Sequence, residues 1–164
     1  MEEKQNDYTT YFVFQVQKEI FTVPVSRVMN VLELMTPSRI PETPDYLEGI
    51  VNVRGELLPV IDSRLKFGMD KTELGADACI IVLEIAGHSD QFKLGLVVDK
   101  ARDVMEVSDE EIETVPDMGL ELNPEYVKGV INRNEEIILL LDIDKIFSRK
   151  EITEIKQHTE NEKK

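Results

Sequence analysis

The chain has 164 residues, of which 41% are hydrophobic, so it is long enough to form one domain or two small subdomains that share a core. Its net charge of −14 argues against binding to nucleic acid or to anionic lipid surfaces, because both attract basic proteins. The charged N-terminus does not show the apolar segment of a signal peptide, and no stretch approaches the ~20 apolar residues of a membrane helix, so we expect a cytoplasmic protein without membrane insertion.

Short strands dominate the first half of the chain. We expect residues 1–10 to form a disordered tail. Alternating and β-branched runs then predict five strands: "YFVFQVQ", "IFTVPV", "VMNVLEL", "IVNV" and "ELLPVID". The last two strands join in a tight turn at Arg54 and Gly55. The segment from Pro44 to Gly49 predicts a single helical turn, because it begins at a proline and ends at a glycine.

The same signals return in the second half. Apolar runs predict the strands "CIIVLEI", "FKLGLVVD", "RDVMEV", "VIN" and "IILLLD". Ser108 and Glu111 form the S-x-x-E pattern of a capping box, which predicts a helical turn. Apolar residues at helical spacing after Asp142 predict a C-terminal helix that ends in a charged tail. We therefore expect one domain over residues 11–150, followed by the helix end and tail over residues 151–164.

Two segments of the chain are similar to each other. "PDYLEGIVNVRGELLPVID" aligns without gaps on "PEYVKGVINRNEEIILLLD" at an offset of 80 residues, as between Pro44 and Pro124. Upstream, "VSRVMNVLE" aligns on "VDKARDVME" at an offset of 73 residues, as between Glu33 and Glu106. The alignment indicates a duplicated unit of about five strands. We therefore predict an all-β fold in which two similar barrels pack face to face.

The two repeats differ at the tight turn. Asn52 in the first repeat corresponds to Asn132 in the second, but Arg54 is replaced by Asn134. A residue needed only to form the turn is expected in both repeats, so the presence of Arg54 in one repeat favours a role outside the fold. A solvated turn arginine without a role is equally compatible with the sequence. We assign structural roles to the residues that form or border these turns: Gly49, Asn52, Gly55, Asp62, Gly129 and Asp142.

No catalytic constellation is evident in the sequence. It has no metal-binding motif and no phosphate-binding glycine loop, so we expect no enzyme activity, metal or cofactor. Asp62 and Asp142 end equivalent strands, and paired carboxylates are compatible with acid–base catalysis. Capping of the helical turn that follows each aspartate is the stronger interpretation. Cys79, the only cysteine, excludes an intramolecular disulfide and is interpreted as a buried, unreactive thiol.

The motifs resemble those of a known family. "GIVNVRGELLPVIDSRLKFG" resembles the signature of the CheW family of bacterial chemotaxis coupling proteins, in which N-x-R-G precedes P-V-x-D. "FKLGLVVDKARDVMEV", "PEYVKGV" and "IILLLDIDKIF" are similar to later segments of that family. The resemblance extends from Tyr11 to Phe147, and the combination of the signature with the later segments makes it specific.

The resemblance implies two five-stranded SH3-like barrels around a shared core, with a short C-terminal helix. It also implies an adaptor that couples the cytoplasmic tips of methyl-accepting chemoreceptors to the histidine kinase CheA, whose regulatory domain it contacts. Such a protein is expected at the receptor array beneath the inner membrane, and as a monomer when isolated. A CheW-like scaffold in a CheA-type pathway unrelated to motility remains an alternative.

The resemblance also implies a docking site. In the family, the receptor tip lies in a groove between the barrels, lined by the third strand and the N-x-R-G turn. By position, these elements supply Val28, Val31 and Arg54, and the equivalent strand of the second repeat supplies Val104. An apolar groove of this kind suits an amphipathic helix, because the aliphatic side chains supply burial and one arginine sets the register.

The sequence departs from the family within the third strand. An acidic residue is frequent there, at the position that Asn30 occupies in this chain. If relatives make a charged contact through that residue, this protein lacks the contact or makes it through Glu33.

Overall fold

The computed structural model describes residues 8–85, 92–114 and 124–161. These ranges contain eleven strands: β1 (Tyr8–Val16), β2 (Glu19–Pro24), β3 (Val28–Glu33), β4 (Leu47–Val53), β5 (Glu56–Asp62), β6 (Cys79–Ile85), β7 (Phe92–Val98), β8 (Lys100–Ser108), β9 (Ile112–Glu113), β10 (Val127–Arg133) and β11 (Glu136–Leu141). They also contain three α-helices: α1 (Ser63–Lys66), α2 (Ile143–Ile146) and α3 (Arg149–Asn161). The predicted all-β fold with a short C-terminal helix is confirmed.

The strands form two barrels. In barrel 1 the strand order is β3-β6-β7-β5-β4, and Ser38, which follows β3, closes the barrel through two backbone hydrogen bonds to Ile50 of β4, at 2.9 and 3.0 Å. In barrel 2 the order is β8-β1-β2-β11-β10-β9, and β9 continues β8 after a short 3₁₀ turn. If β8 and β9 are counted as one bent strand, each barrel has five strands, as predicted.

Each barrel combines strands from both repeats. Barrel 1 takes β3, β4 and β5 from the first repeat and the β6–β7 hairpin from the second. Barrel 2 takes the β1–β2 hairpin from the first repeat and β8 to β11 from the second. The exchanged hairpins join their sheets through two parallel pairs, β5 with β7 and β11 with β2. The two predicted subdomains are therefore intertwined, and neither repeat forms a barrel alone.

Three apolar clusters hold the barrels together. The largest takes side chains from both barrels and from α3, among them Phe14, Phe21, Ile81, Leu139 and Ile155. Two smaller clusters each lie within a single barrel. Because burial of one large aliphatic side chain contributes roughly 1.5–3 kcal/mol, the shared cluster is the main force that joins the barrels.

Gly49 and Gly129 lie inside strands, not at the ends of helical turns. The segment ahead of β4 forms a turn without helical structure, so the helical turn predicted from Pro44 to Gly49 is wrong. The segment ahead of β10 forms a 3₁₀ turn. Each glycine follows a β-bulge, because the pairing shifts between Leu47 and Gly49 and between Val127 and Gly129. Gly49 has a φ of +147°, and a Cβ on it would overlap the carbonyl group of Ser38. The close approach that closes barrel 1 therefore requires a glycine.

Asp62 caps α1, as predicted, and also forms a buried ion pair. Its Oδ1 accepts a hydrogen bond from the backbone N–H of Arg64 at 2.9 Å. The Arg64 guanidinium donates to both carboxylate oxygens, at 3.0 Å from Nε and 2.9 Å from Nη2, and a further N–H donates to the carbonyl of Thr72. The exposed fractions are 0% for Asp62 and 2% for Arg64. The pair is thus almost completely removed from water.

Asp142 does not cap α2, although it occupies the position equivalent to Asp62. Its side chain makes no capping hydrogen bond, and its Oδ2 lies 3.9 Å from Nζ of the exposed Lys145. The prediction of a side-chain cap is wrong here, because the carboxylate faces a surface lysine instead of the first N–H groups of the helix. Asp62 is buried against Arg64, so the two aspartates do not form a catalytic pair.

The C-terminal helix predicted after Asp142 is broken in two. Phe147 is extended between α2 and α3. Ser148 and Glu151 then form a capping box, in which Ser148 Oγ accepts the Glu151 N–H at 3.1 Å and Glu151 Oε1 accepts the Ser148 N–H at 2.9 Å. The break turns α3 back onto the shared cluster, where Ile152 and Ile155 are buried.

β1 begins at Tyr8, so the last three residues of the tail predicted over 1–10 belong to a strand. The capping box of Ser108 and Glu111 is confirmed. β6 and β7 form the predicted hairpin, and its loop over residues 86–91 lies outside the described residues.

Candidate functional site

The tight turn between β4 and β5 presents Arg54 to solvent. Arg54 has a φ of +52° and Gly55 a φ of +86°, which is the type I′ geometry of a two-residue hairpin. Asn52 supports the turn, because its Oδ1 accepts the Gly55 N–H at 2.9 Å. Glycine adopts this backbone region freely, but an arginine in it is strained. Arg54 is therefore an unfavourable choice for the turn alone, which supports a role outside the fold.

Arg54→Asn is expected to raise the free energy of unfolding by about 0.5–1 kcal/mol, because asparagine tolerates a positive φ better than arginine. Urea unfolding of the two proteins measures the difference. The reciprocal change Asn134→Arg is the matched control, since Asn134 has the same φ of +52° in the equivalent turn. Asn134→Arg should destabilise the protein by a similar amount. If each variant is as stable as the wild type, the turn is not strained.

The Arg54 turn forms one wall of a groove of about 560 Å³. β3 supplies a second wall with Met29, Asn30 and Leu32, and α3 supplies a third with Lys156. Leu57 of β5 also lines the groove. Glu56 and Glu160 also line the groove, which thus combines apolar side chains with groups of both charges, a composition suited to a segment of another protein.

A buried lysine anchors α3 beside the groove. Lys66 Nζ donates to Glu151 Oε2 of α3 at 2.9 Å, and Tyr46 Oη donates to the same oxygen at 3.0 Å. The ammonium also lies 4.9, 5.4 and 5.2 Å from the ring centres of Tyr46, Tyr126 and Phe147. Tyr46 and Tyr126 are equivalent residues of the two repeats, so Lys66 ties both repeats to the helix.

Hydrogen bonding fixes the charge state of this anchor. Burial by itself raises the pKa of Glu151, but hydrogen bonds from Ser148, Lys66 and Tyr46 outweigh that effect and hold the pKa below its ordinary value. Burial and the adjacent Glu151 raise the pKa of Tyr46. At neutral pH the carboxylate is therefore charged and the phenol remains a donor, which keeps α3 in place.

The residues predicted to bind a receptor lie in different surroundings. Val31 is 41% exposed and Val104 is 57% exposed. Val31 pairs with Ile81 and Val104 with Phe12, both of which contact the shared cluster, so the two valines continue its apolar face to the surface.

Val28 and Arg54 are the other two residues predicted to bind a receptor. Val28 is half-buried against the shared cluster, so it offers less free surface than Val31. Arg54 lines the groove of barrel 1, whereas the three valines do not. The structure therefore joins Arg54 to the neighbouring residues of β3, Met29 and Leu32, more directly than to Val28 or Val31.

Two lysines of the groove were not indicated by the sequence. Lys93 on β7 and Lys156 on α3 line it together with Arg54. A lysine on a strand and another on a helix, far apart in the chain, form no spacing pattern that sequence analysis detects. Only the fold brings them together.

Little in the described residues suggests chemistry. No group of three or more His, Cys, Asp or Glu side chains in these ranges is arranged to hold a metal ion. Cys79 is free and half-buried, less buried than predicted, and burial raises the pKa of its thiol. The thiol therefore stays protonated at neutral pH and is a poor nucleophile. None of the helices in the described ranges is long and apolar enough to span a membrane.

Comparison with known proteins identifies close similarities. Residues 10–151 match the family model of the CheW-like domain. The chain is 30% identical to the chemotaxis protein CheW of Klebsiella aerogenes over 142 residues, which cover 87% of this chain and 83% of that protein. It is 29% identical to protein FrzA of Myxococcus xanthus over 141 residues, 84% of each chain. The crystal structure of the scaffolding protein TtCheW from Thermoanaerobacter tengcongensis superimposes with a TM-score of 0.78 and 28% identity, over 92% of this chain and 95% of that one.

Proposed function

The chain belongs to the CheW-like family, and on that premise we propose that it is a chemotaxis adaptor that couples the tips of methyl-accepting chemoreceptors to the histidine kinase CheA. The observation that carries the proposal is the family match over residues 10–151, together with a 30% identical chemotaxis protein CheW. The adaptor acts by binding alone and catalyses no reaction. It works in the cytoplasm, at the receptor array, and contacts the regulatory domain of CheA.

Receptor docking in this proposal uses exposed apolar side chains and one arginine. The receptor tip is a helical hairpin, and one amphipathic face of it covers Val31 and Val104, with a smaller contribution from Val28. Arg54 donates to a carboxylate or backbone carbonyl of the hairpin and so fixes its register. The solvent exposure of Arg54, Val31 and Val104 supports this arrangement.

A second candidate is a CheW-like scaffold in a CheA-type pathway unrelated to motility. The chain is 29% identical to FrzA, a relative that does not bear the name CheW, and this similarity supports the second candidate. Both candidates share the kinase contact and differ in which receptors they serve.

The first experiment is a titration of the purified protein with the regulatory domain of CheA from the same organism, repeated with a receptor-tip fragment. Binding to both partners supports the coupling role. Binding to the kinase domain alone indicates a scaffold without receptor contact. Binding to neither partner contradicts the proposal and leaves only the family relationship.

Arg54→Glu is expected to weaken binding of the receptor-tip fragment by about tenfold or more, because a charge that sets register is reversed while the exposed turn stays folded. Calorimetric titration measures the change, and circular dichroism checks the fold. Asn134→Glu, at the equivalent turn of barrel 2, is the matched control and should bind almost as well as the wild type. If Arg54→Glu binds normally, or if it unfolds, Arg54 is not the docking residue.

A further inference from the structure

Among the strands that the structure describes, the chain crosses between the two barrels at two short segments. Val25–Arg27 leads from β2 of barrel 2 into β3 of barrel 1, and Asp99 alone leads from β7 of barrel 1 back into β8 of barrel 2. At the offset of 73 residues Asp99 corresponds to Ser26, so the two crossings occupy equivalent positions in the repeats. The exchange of hairpins between the repeats is therefore made at these two points.

Arg27 fixes the first crossing. Its Nε donates to the carbonyl of Glu84 in β6 at 2.9 Å, and its Nη2 lies 2.5 Å from Oδ1 of Asp144 in α2. Because Glu84 belongs to barrel 1 and α2 directly follows the last strand of barrel 2, this crossing is tied to both barrels.

Asp99 fixes the second crossing with a single residue. The backbone bends there, the Asp99 N–H donates to the carbonyl of Gln15 in β1 at 3.0 Å, and Oδ2 accepts the Gln17 N–H at 2.7 Å. Gln17 has a φ of +54°, which is unfavourable for glutamine, so the carboxylate also supports the turn between β1 and β2. Both hydrogen bonds depend on the bent conformation of Asp99.

Asp99 divides the chain into two parts with complementary edges. All five strands of barrel 1 precede it, so opening the chain there leaves barrel 1 intact. Barrel 2 is divided, because the β1–β2 hairpin lies before Asp99 and β8 to β11 lie after it. Opening would unpair β1 from β8 and β2 from β11. Unpaired edges of this kind pair with another chain, and two copies that exchange identical parts leave no edge free.

The shared cluster spans the same division. Phe14 and Phe21 come from the part before Asp99, and Leu139 and Ile155 come from the part after it. An opened monomer would expose these side chains to water, whereas a second copy restores every one of the contacts. The closed monomer and the exchanged dimer therefore differ mainly at the crossing itself, and protein concentration shifts the balance between them.

We propose that a second copy of this chain is a partner, and that two copies exchange the part from β8 to α3 by straightening at Asp99. In the dimer, β7 and β8 form one ribbon from Phe92 to Ser108, and each barrel 2 combines the β1–β2 hairpin of one copy with β8 to β11 of the other. Asp99 holds the monomer closed. The dimer presents every surface of the monomer twice on one particle, so it is a bivalent scaffold.

Asp99→Ala tests the proposal. A hydrogen bond to a charged group contributes about tenfold to an equilibrium constant, and the dimer contains two crossings, so the association constant of the dimer should rise about hundredfold. Light scattering after size-exclusion chromatography measures it, on protein refolded from urea over a range of concentrations. Asp103→Ala is the matched control, since Asp103 is an exposed carboxylate of β8. It should change the constant by less than about twofold.

Two further variants separate the crossing from a general loss of stability. Asp99→Asn keeps a carbonyl oxygen as acceptor and should give a smaller rise than Asp99→Ala, which provides a second reading if the alanine variant does not fold. A short glycine–serine segment inserted after position 99 of Asp99→Ala should restore the monomer, because a longer crossing turns back without the carboxylate. A dimer that persists with the longer crossing contradicts the proposal.

The rate of dissociation distinguishes exchange from an ordinary surface contact. An exchanged dimer separates only when barrel 2 opens, so after dilution it should persist, and its rate of dissociation should rise with urea as the rate of unfolding does. A dimer that separates at once on dilution is a surface contact and overturns the proposal. Asp99→Ala that stays monomeric at every concentration, or Asp103→Ala that dimerises equally well, also overturns it.

Discussion

Asp62→Asn is expected to lower the free energy of unfolding by about 3 kcal/mol, because it leaves the Arg64 guanidinium buried without its counter-charge. Both side chains are almost completely excluded from water, and the guanidinium makes two hydrogen bonds to the carboxylate. Asparagine keeps the size of the side chain and can still cap α1, so the loss reports the ion pair. Urea unfolding, followed by circular dichroism, measures it.

Asp142→Asn is the matched control for this change. Asp142 occupies the equivalent position, but it makes no capping hydrogen bond and lies 3.9 Å from an exposed lysine. The control should cost less than about 1 kcal/mol. Equal losses in the two variants would show that the buried pair has no special effect on stability.

The same pair makes stability depend on pH. Burial by itself raises the pKa of Asp62, but hydrogen bonds from Arg64 outweigh it and hold the pKa below the ordinary value of 3.8. A lowered folded pKa means that the stabilisation is complete above pH 3.8 and is lost as the pH falls through the folded pKa. The difference in stability between wild type and Asp62→Asn should therefore shrink on acidification below that value. A constant difference down to full protonation would contradict this assignment.

Gly49→Ala is expected to lower the free energy of unfolding by about 3 kcal/mol or more. The new Cβ would overlap the carbonyl of Ser38, a backbone group that cannot rotate away, and the φ of +147° is unfavourable for alanine. The hydrogen bonds between Ser38 and Ile50 that close barrel 1 would have to break. Urea unfolding measures the loss, and the yield of soluble protein gives a second readout.

Gly129→Ala distinguishes backbone overlap from ordinary crowding. Its Cβ would lie 2.5 Å from Cγ2 of Ile112, a side-chain atom that can move, and 3.1 Å from the carbonyl oxygen of Glu113. We expect a cost of about 1–2 kcal/mol, smaller than for Gly49→Ala. The reverse order of the two losses would show that closure of barrel 1 does not depend on Gly49.

Much of the fold could be predicted because its signals are local. Alternating apolar runs and tight turns define most strands, and the repeat indicates two related subdomains. The exchange of hairpins could not be predicted from the sequence. It depends on the pairing of β2 with β11, which joins Ile20 to Ile138, and neither segment contains a local pattern that indicates its partner. The break between α2 and α3 does have a signal in the sequence, the S-x-x-E pattern of Ser148 and Glu151. The prediction used only the spacing of apolar residues and therefore missed it.

The candidate site was only partly accessible from the sequence. Arg54 was indicated because one repeat has it and the other does not. The repeat did not predict that the two equivalent aspartates have different partners. Asp62 forms a buried ion pair with Arg64, whereas Asp142 lies near the exposed Lys145. Lys93 and Lys156 lie on elements that meet only after α3 has packed on barrel 1.

The exchanged hairpins also set the order in which the chain can fold during synthesis. Barrel 1 needs β7 and is complete once Val98 has left the ribosome. The β1–β2 hairpin is made first, yet its neighbours β8 and β11 follow much later, and β11 ends only at Leu141, so the hairpin must wait for most of the chain. Pairs as distant as Tyr8 with Ser108 raise the contact order, which slows folding. The earliest hairpin is therefore the segment most exposed to mispairing before synthesis ends.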